Sequence, residues 1–387
     1  MTAWAAIRWA LLILALAPFG YYIAALIAAR RFFRARSFGT SGSNQPVSIL
    51  KPISGLDREA YENFASFCRQ DYPEFEILFC VSDLQDPAVP VIRKLIDDFP
   101  ERSIRLLIGA DGLGVSDKVN KLCRLVRQSR HEVVIVSDSD VRVEPGFLRA
   151  VVAPFSDSKV GGVTCLYRGI TDGSLAADLE AVGNSTDFAA GVLVAWLLGP
   201  VNFMLGAVMA TTKKHLAEIG GFEALADYFS DDYELGNRIA ARGYRIELST
   251  FPVSIVYPHE KFGDAFRHQL RWNLSIRYSR PWGHLGLIFT QGLAWSLLGF
   301  LLAPSALLSF AYAVAFVLLC GELNRTIGIY GMKDNSLRKK HWALVLRGAF
   351  AFVVWLASFF PQRIRWREQE FRVRKKRLVA VEPRHSP

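Results

Sequence analysis

Apolar and polar positions follow two alternating periods from residue 47 to residue 137. Short apolar runs predict strands at 47–51, 75–81, 104–108 and 133–137, and the segments 57–69, 88–99 and 117–128 between them have helical spacing. A strict succession of strands and helices predicts an α/β fold with a Rossmann-like, mostly parallel sheet and right-handed crossovers.

The second half of the chain is less regular. Residues 160–167 have the pattern of another strand, and residues 175–187 have helical spacing. Residues 188–212 carry no charge, but Gly191, Gly199, Pro200, Asn202 and Gly206 are poor residues for a single membrane span. We therefore favour a buried or membrane-grazing segment within the α/β domain over a transmembrane helix.

Long apolar stretches at both ends of the chain predict a membrane protein. Residues 9–29 have no charge and precede Arg30, Arg31, Arg34 and Arg36, which predicts an uncleaved anchor with its C-terminal end in the cytoplasm. A cleaved signal peptide fits less well, because no small-residue cleavage site precedes the arginines.

Three more apolar stretches follow, at 285–302, 306–320 and 342–360. If all three crossed the membrane, the basic residues after 362 would lie outside, against the positive-inside rule. One of the three is therefore expected to be interfacial or half-inserted, and the sequence does not say which.

Composition agrees with a membrane protein and excludes several other classes. The 387 residues are 51% apolar with a net charge of +10, and the mean hydropathy is +0.20. The cations cluster beside apolar segments, which is typical of flanks on an anionic leaflet, and no nucleic-acid-binding motif accompanies them. The 5 cysteines are scattered without a CxxC motif, so neither a disulfide framework nor a zinc site is indicated.

Two carboxylates directly follow the fourth predicted strand, in the sequence VVIVSDSDVR. Asp138 and Asp140 are two positions apart, so an extended backbone would direct both side chains to one point. Such oxygen ligands suit a divalent cation that also holds phosphates, and ligands bind at the carboxyl edge of open α/β sheets. A bare DxD motif also fills ordinary turns, so its position after a strand carries most of the signal.

Three further sets of polar residues lie at expected functional positions. FSDDYELG opens a predicted helix: a helix cap explains Ser230 and Asp231, whereas Asp232 is one acid more than a cap needs and could accept a proton. HQLRW would place His268, Arg271 and Trp272 on one helix face, as a cation and an aromatic wall for a ligand or as an ordinary interfacial helix. Asp83 ends the second strand, where a lone Asp is more often a turn residue.

The ordered set LKP, Asp83, DSD, FSDDYELG and RW, bracketed by membrane segments, resembles the ceramide glucosyltransferase family. These are inverting transferases with a GT-A fold, and bacterial members act on hopanoid polyols. The resemblance covers residues 1–370 approximately and implies a domain order. It comprises an anchor at 1–36, a linker at 37–46, a GT-A domain at 47–280, membrane helices at 281–362 and a basic cytoplasmic tail at 363–387.

The resemblance also implies roles for individual residues. Asp83 would bind the uracil or ribose of a UDP-sugar, Asp138 and Asp140 would bind Mg²⁺ or Mn²⁺ and the diphosphate, and Asp232 would be the catalytic base. The remaining donor-binding positions would be Lys118, Asn120, Asp231, His268, Arg271 and Trp272. His268 departs from the family, which usually has Gln or Arg there, and a neutral His would bind phosphate less well.

These observations predict a UDP-sugar-dependent hexosyltransferase in the bacterial inner membrane, with its active site facing the cytoplasm. The acceptor would be a hydroxyl of ceramide or of a hopanoid. A processive polysaccharide synthase of the same fold and a catalytically inactive membrane scaffold are the alternatives. The sequence does not decide between Mg²⁺ and Mn²⁺, and it does not identify the sugar or the acceptor.

Overall fold

The structure is a computed structural model that describes residues 3–34, 44–258, 261–360, 364–366, 369–374 and 376–380. It divides into two compact units. The helical unit comprises Met1–Ala35, Thr171–Gly199 and His259–Pro361, and the sheet unit comprises Arg36–Ile170, Pro200–Pro258 and Gln362–Pro387. The helical unit includes Thr171–Gly199, so this division into compact units is drawn differently from the predicted domain order, which stays a prediction. Most of the predicted linker lies outside the described residues.

An eight-stranded sheet forms the centre of the sheet unit, in the order β3-β2-β1-β4-β7-β6-β8-β5. The strands are β1 (Val47–Pro52), β2 (Phe75–Val81), β3 (Ser103–Ile108), β4 (Val133–Ser137), β5 (Val141–Arg142), β6 (Val160–Ile170), β7 (Val208–Thr212) and β8 (Arg245–Val256). The helices of this unit are α3 (Ala60–Cys68), α4 (Ala88–Asp98), α5 (Asp117–Gln128), α6 (Phe147–Val152), α9 (Lys213–Glu218) and α10 (Asp231–Ala241).

The first four strands form the predicted parallel half of the sheet. β1 pairs in parallel with β2 on one side and with β4 on the other, and β2 pairs in parallel with β3. Every residue of β1, β2 and β4 is buried, as expected of strands covered on both faces. The chain reverses its direction of travel across the sheet between β1 and β4, which makes the end of β4 a topological switch point.

The other half of the sheet is mixed. β7 is antiparallel to β4 and to β6, whereas β6 and β8 are parallel. The pairing register places Ser137 opposite Val208. The segment just before β7 therefore lies beside the acidic turn that follows β4.

The helical unit contains nine α-helices within the described residues: α1 (Ala3–Leu14), α2 (Ala17–Arg34), α7 (Leu175–Gly183), α8 (Ala189–Leu198), α11 (Phe262–Ser279), α12 (Pro281–Gly286), α13 (Gly292–Leu302), α14 (Ala306–Leu323) and α15 (Ala343–Ala357). A π-helical turn, Asn184–Phe188, joins α7 to α8, and a second π-helical segment, Asn324–Gly331, follows α14.

Within the described residues, three continuous helical stretches are long and apolar enough to cross a membrane. They are Ala3–Arg34, which joins α1 and α2; Leu175–Leu198, which joins α7 and α8; and Ala306–Gly331, which joins α14 to the second π-helical segment. A fourth candidate is the pair Pro281–Thr290 and Gly292–Leu302, which is bent by 49° as in a broken span or a re-entrant loop. Ala343–Ala357 is a shorter apolar helix. The uncharged run 188–212 differs from our expectation, because its first part completes a helix of spanning length and its last part is strand β7.

The predicted basic tail forms strands where it is described. β9 (Ile364–Trp366), β10 (Gln369–Arg374) and β11 (Arg377–Ala380) make a small antiparallel sheet. The backbone N–H of Leu378 donates to the carbonyl of Asp227 at 2.8 Å, and that of Phe229 donates to the carbonyl of Lys376 at 3.0 Å. This small sheet therefore pairs with the segment that leads into α10. Residues 363, 367–368, 375 and 381–387 of the predicted tail lie outside the described residues, as do residues 361–362 before it.

Candidate active site

The DSD turn lies at the carboxyl end of β4, and Lys51 of β1 donates hydrogen bonds to it. The Lys51 ammonium is fully buried, donates to the Ser137 hydroxyl at 3.1 Å and to the Asp138 carbonyl at 2.9 Å, and lies 3.7 Å from the centre of the Phe67 ring. Burial lowers the pKa of Lys51 to about 7, against the opposing charges of Asp138 and Asp140. Lys51 therefore fixes the backbone from which the two carboxylates project.

Lys118 joins the DSD turn to the acidic pair of α10. It lies in the first turn of α5, and its ammonium is 2.7 Å from Asp138 Oδ1 and 3.6 Å from Asp231 Oδ2. Burial alone would lower the pKa of Lys118, but the charges of Asp138 and Asp231 outweigh it and raise that pKa above its usual range. The ammonium therefore remains charged between two carboxylates from distant parts of the sequence.

Gly206 and Gly236 bring the start of α10 to the end of β4. A side chain at Gly236 would collide with the backbone of Phe203 and Met204, so this glycine lets α10 pack directly on the segment before β7. A Cβ built at Gly206 would lie 3.2 Å from Asp232 Oδ2 and 3.8 Å from Asp138 Oδ2. The two carboxylates therefore face one small space beside Gly206.

Asp140 and Asp232 both have strongly perturbed pKa values. Burial, together with the charges of Asp138 and Asp57, raises the pKa of Asp140 to about 7. Burial, then the charge of Asp231, raises the pKa of Asp232 to about 7, while Lys118 opposes the shift. A carboxylate with a pKa near neutrality at a sheet edge has the properties of a general base.

The donor set fits a divalent cation shared with phosphate. No group of three or more His, Cys, Asp or Glu side chains in the described ranges is arranged to hold a metal ion alone. Mg²⁺ typically takes one or two carboxylates and completes its shell with water and substrate phosphates. The mutual repulsion of Asp138, Asp140 and Asp57 is the electrostatic situation that such a cation would relieve.

Asp83 and Asn120 lie in the same unit with different surroundings. Asp83 is exposed just after β2, where one oxygen accepts from the backbone N–H of Gln85 at 2.8 Å. The buried Asn120 amide donates to the carbonyl of Gly114 at 2.8 Å and accepts from the N–H groups of Leu113 and Gly114. Asn120 thus shapes the loop before α5, and its predicted contact with a donor would be indirect.

The HQLRW residues belong to the helical unit, on the predicted helix α11. The His268 ring lies 4.8 Å from the Trp272 ring, and its Nδ1 is 3.0 Å from Glu180 Oε1. Arg271 is half-buried on the same helix. The structure therefore collects Asp138, Asp140, Asp231, Asp232 and Lys118 in the sheet unit, and it places His268 and Trp272 together in the helical unit.

Sequence reasoning missed Lys51, Tyr167 and Gly206. The LKP motif supports the family resemblance but predicts no role for Lys51, although a lysine inside an apolar strand indicates a buried partner. Tyr167 is buried beside Asp232, Asp138 and Asp140, and burial followed by these three charges raises its pKa far above the usual range. Gly206 gave no signal, because its importance depends on the antiparallel pairing of β7 with β4.

Replacing Gly206 by alanine should block this space without unfolding the protein. The new methyl group would crowd Asp232 at 3.2 Å and displace whatever lies between the carboxylates. Because displacements of about 1 Å cost about 10²-fold in rate, we expect a loss of that order in kcat/KM. Gly321→Ala is the matched control, since no heavy atom lies within 4 Å of its new Cβ. Equal activity of the two variants would contradict this arrangement.

The raised pKa of Asp232 predicts the pH dependence of any reaction in which it is the base. The deprotonated form is the active one, so kcat/KM should fall about tenfold per pH unit below an apparent pKa near 7. Asp231→Asn removes a neighbouring negative charge and should move this limb to lower pH. The charges that raise the pKa of Asp140 are those of Asp138 and Asp57, so this variant reports on Asp232. An unmoved limb would assign the titration to another group.

Several curated proteins are similar to this chain in sequence. Ceramide glucosyltransferase 1 of Caenorhabditis elegans is 32% identical over 207 residues, which cover 53% of this chain and 44% of that protein. Ceramide glucosyltransferase of Gibberella zeae is 31% identical over 149 residues, covering 36% of this chain and 28% of that protein. This chain therefore spans less than half the length of these two relatives.

Structural comparison identifies the fold. A mannosyltransferase from Pyrobaculum calidifontis, solved in complex with GDP-Man and Mn²⁺, matches with a TM-score of 0.52 and 19% identity, over 91% of this chain and 98% of that one. The predicted GT-A class of α/β fold is thereby confirmed. A family model described as glycosyl transferase family 21 matches residues 10–379, and this chain therefore belongs to that family.

Proposed function

We propose that this protein is an inverting glycosyltransferase that moves a hexose from a UDP-sugar to a hydroxyl group of a membrane lipid. The observation that carries the proposal is the convergence of Asp138, Asp231 and Asp232 around Lys118 and Gly206 at the switch point of the sheet. Membership of family 21 and the names of the ceramide glucosyltransferases support a lipid acceptor and make glucose the first sugar to test.

In this mechanism Asp232 removes the proton from the acceptor hydroxyl. The oxygen then attacks the anomeric carbon on the face opposite UDP, and the C–O bond to UDP breaks as the new bond forms. The electron pair leaves with the diphosphate, so a single displacement inverts the anomeric centre. Lys118 contributes a permanent positive charge beside this site.

Asp138 and Asp140 are the proposed ligands of a divalent cation, Mg²⁺ or Mn²⁺. When bound, such an ion supplies charge neutralisation for the departing diphosphate. Lys51 keeps the turn in place through the Asp138 carbonyl, and Asp231 tunes the basicity of Asp232. Asp83 is proposed to contact the uracil or ribose, and Arg271 with Trp272 to contribute to the donor or acceptor site.

We place the protein in a bacterial inner membrane with its active site facing the cytoplasm. Arg31 and Arg34 lie in the last turn of α2, and the positive-inside rule assigns that end of the helix to the cytoplasm. UDP-sugars are also made in that compartment. We propose the domain order given by the sequence with α7 and α8 added to the membrane helices, since both belong to the helical unit and lie in a helix of spanning length.

The test uses purified full-length protein in nanodiscs with UDP-glucose and one lipid at a time. Ceramide, a hopanoid polyol and a control of phosphatidylcholine, which has no hydroxyl group, are compared by UDP release and by mass spectrometry of the extracted lipids. We expect UDP release only with a hydroxylated lipid, and a product that carries one hexose with inverted configuration. Polymeric product would identify a processive synthase, and absence of UDP release with every acceptor and UDP-sugar would identify an inactive scaffold.

A further inference from the structure

A cavity with a partly polar lining lies among the helices of the helical unit. Its volume is about 80 Å³, and its lining includes Tyr21 and Tyr22 of α2, Asp187 of the π-helical turn, and Gln291 before α13. One water molecule occupies about 30 Å³ of liquid, so the cavity has room for a hydroxyl-bearing or amide-bearing group. Below it is called the Asp187 cavity.

Asp187 lies near the middle of Leu175–Leu198, a helix long and apolar enough to cross a membrane. Ionisable side chains at such positions are costly and usually mark a binding or transport site. The π-helical turn Asn184–Phe188 around Asp187 widens the helix locally, a distortion that is frequent at functional sites. The position and the backbone both single out this carboxylate.

The Asp187 side chain is paired but remains accessible. Arg347 Nε donates to Asp187 Oδ2 at 3.1 Å, and the Arg347 side chain is only 10% exposed, whereas that of Asp187 is 52% exposed. Here the guanidinium is enclosed and holds the carboxylate open toward the cavity.

The hydroxyls of Tyr21 and Tyr22 add to the polar part of the lining. The Tyr22 hydroxyl lies so close to Gly292 that a Cβ there would be 2.1 Å from it, and a Cβ at Gly191 would be 3.7 Å from the Tyr21 hydroxyl. Gly292 therefore makes room for the Tyr22 phenol, whereas a Cβ at Gly191 would be in ordinary contact with Tyr21. The cavity thus presents a carboxylate acceptor together with hydroxyl groups that both donate and accept.

A chain of hydrogen bonds joins Arg347 to the HQLRW motif. Arg347 Nη1 donates to Gln269 Oε1 at 3.1 Å, and Gln269 Nε2 donates to Glu180 Oε1 at 2.8 Å. The same Glu180 oxygen is 3.0 Å from His268 Nδ1. The motif helix α11 and the cavity therefore share one continuous polar network within this unit.

We propose that the Asp187 cavity binds the hydroxyl or amide head of an uncharged lipid, which is the acceptor of the transfer reaction. The carboxylate accepts from a hydroxyl or amide N–H of the lipid, and the tyrosine hydroxyls bond its oxygen atoms. The Asp187 carboxylate, already paired with Arg347, disfavours an anionic head group such as that of phosphatidylglycerol. This inference rests on the proposed function and adds the location of the acceptor subsite.

The test compares Asp187→Asn and Tyr21→Phe with two controls in full-length protein. Tyr330→Phe changes an exposed tyrosine of the same unit. Asp178 lies on the same continuous helix as Asp187, and Asp178→Asn breaks its 2.6 Å ion pair with Lys340. We expect both cavity variants to raise KM for the lipid by about tenfold, with KM for the UDP-sugar unchanged. Asp178→Asn should lower thermal stability and leave the lipid KM unchanged. Unaltered lipid KM in the cavity variants would overturn the inference.

A second measurement does not depend on catalysis. A photoreactive ceramide in nanodiscs should crosslink to peptides from 17–34 and 175–198 in the wild-type protein, and less in Asp187→Asn. Equal crosslinking by a photoreactive phosphatidylglycerol would contradict the choice of an uncharged lipid. If crosslinking follows this pattern while no lipid is glycosylated, the proposed function fails and the binding site stands. If lipids are glycosylated but crosslinking avoids these peptides, the binding site fails alone.

Discussion

Asp232→Asn should lower kcat by about 10² to 10⁴-fold, the usual contribution of a positioned base, with little change in UDP-sugar affinity. The amide has the shape of the carboxylate, and its oxygen can still accept the Tyr233 N–H that Asp232 Oδ1 now accepts at 2.7 Å. It cannot take a proton from the acceptor hydroxyl. Because Asp232 is one of several carboxylates around Lys118, its neutralisation leaves that cation paired with Asp138.

The measurement is single-turnover transfer from radiolabelled UDP-glucose to a lipid acceptor, with donor affinity followed separately by UDP-sugar binding. Asp157→Asn is a matched control in the same unit, since its carboxylate pairs with Arg245 at 3.1 Å on the surface. The control should retain wild-type rates. Wild-type kcat in Asp232→Asn would remove Asp232 from the mechanism, whereas loss of donor affinity instead of kcat would make it a binding residue.

Much of the parallel half of the fold could be predicted from the sequence, for a physical reason. Strands covered on both faces are predominantly apolar, and the helices between them are amphipathic, so the boundaries of β2, β4 and α5 agree with the pattern at both ends. The acidic turn then falls at the carboxyl edge of β4 by topology alone. The position of Asp138 and Asp140 at this edge could therefore be predicted from the sequence, whereas their role as metal ligands stays a proposal.

The rest depends on long-range pairing that local patterns do not encode. Residues 188–212 form one uncharged run, yet the chain places part of it in a membrane-length helix and part in β7. Gly206 and Gly236 allow segments that are distant in the sequence to approach closely. The sequence around a glycine does not show which distant segment will pack against it. The basic residues after 362 predict a cytoplasmic tail without regular structure of its own. In the structure, part of this tail forms β11, which hydrogen-bonds to the backbone of Asp227.

Asp140→Asn should weaken divalent-cation binding in the presence of UDP at least about 10²-fold, the upper range observed when supporting residues of metal sites are removed. The pKa of Asp140 is raised to about 7 by burial and by the charges of Asp138 and Asp57, so this carboxylate carries an unfavourable charge that a bound cation would stabilise. An amide offers one neutral oxygen in its place. The Mn²⁺ dependence of both UDP binding and transfer should shift to higher concentration.

Asp57→Asn is the control that distinguishes a direct metal ligand, as proposed for Asp140, from a nearby residue that contributes only negative charge. Asp57 raises the pKa of Asp140 through its charge but belongs to neither acidic motif, so its removal should weaken Mn²⁺ binding much less than Asp140→Asn. Electron paramagnetic resonance of Mn²⁺ with UDP measures this binding without turnover, and chelation by EDTA should abolish transfer by the wild-type protein. Equal losses in the two variants would mean that the turn attracts cations only by its summed charge. Unchanged Mn²⁺ affinity in Asp140→Asn would remove Asp140 from the proposed metal site.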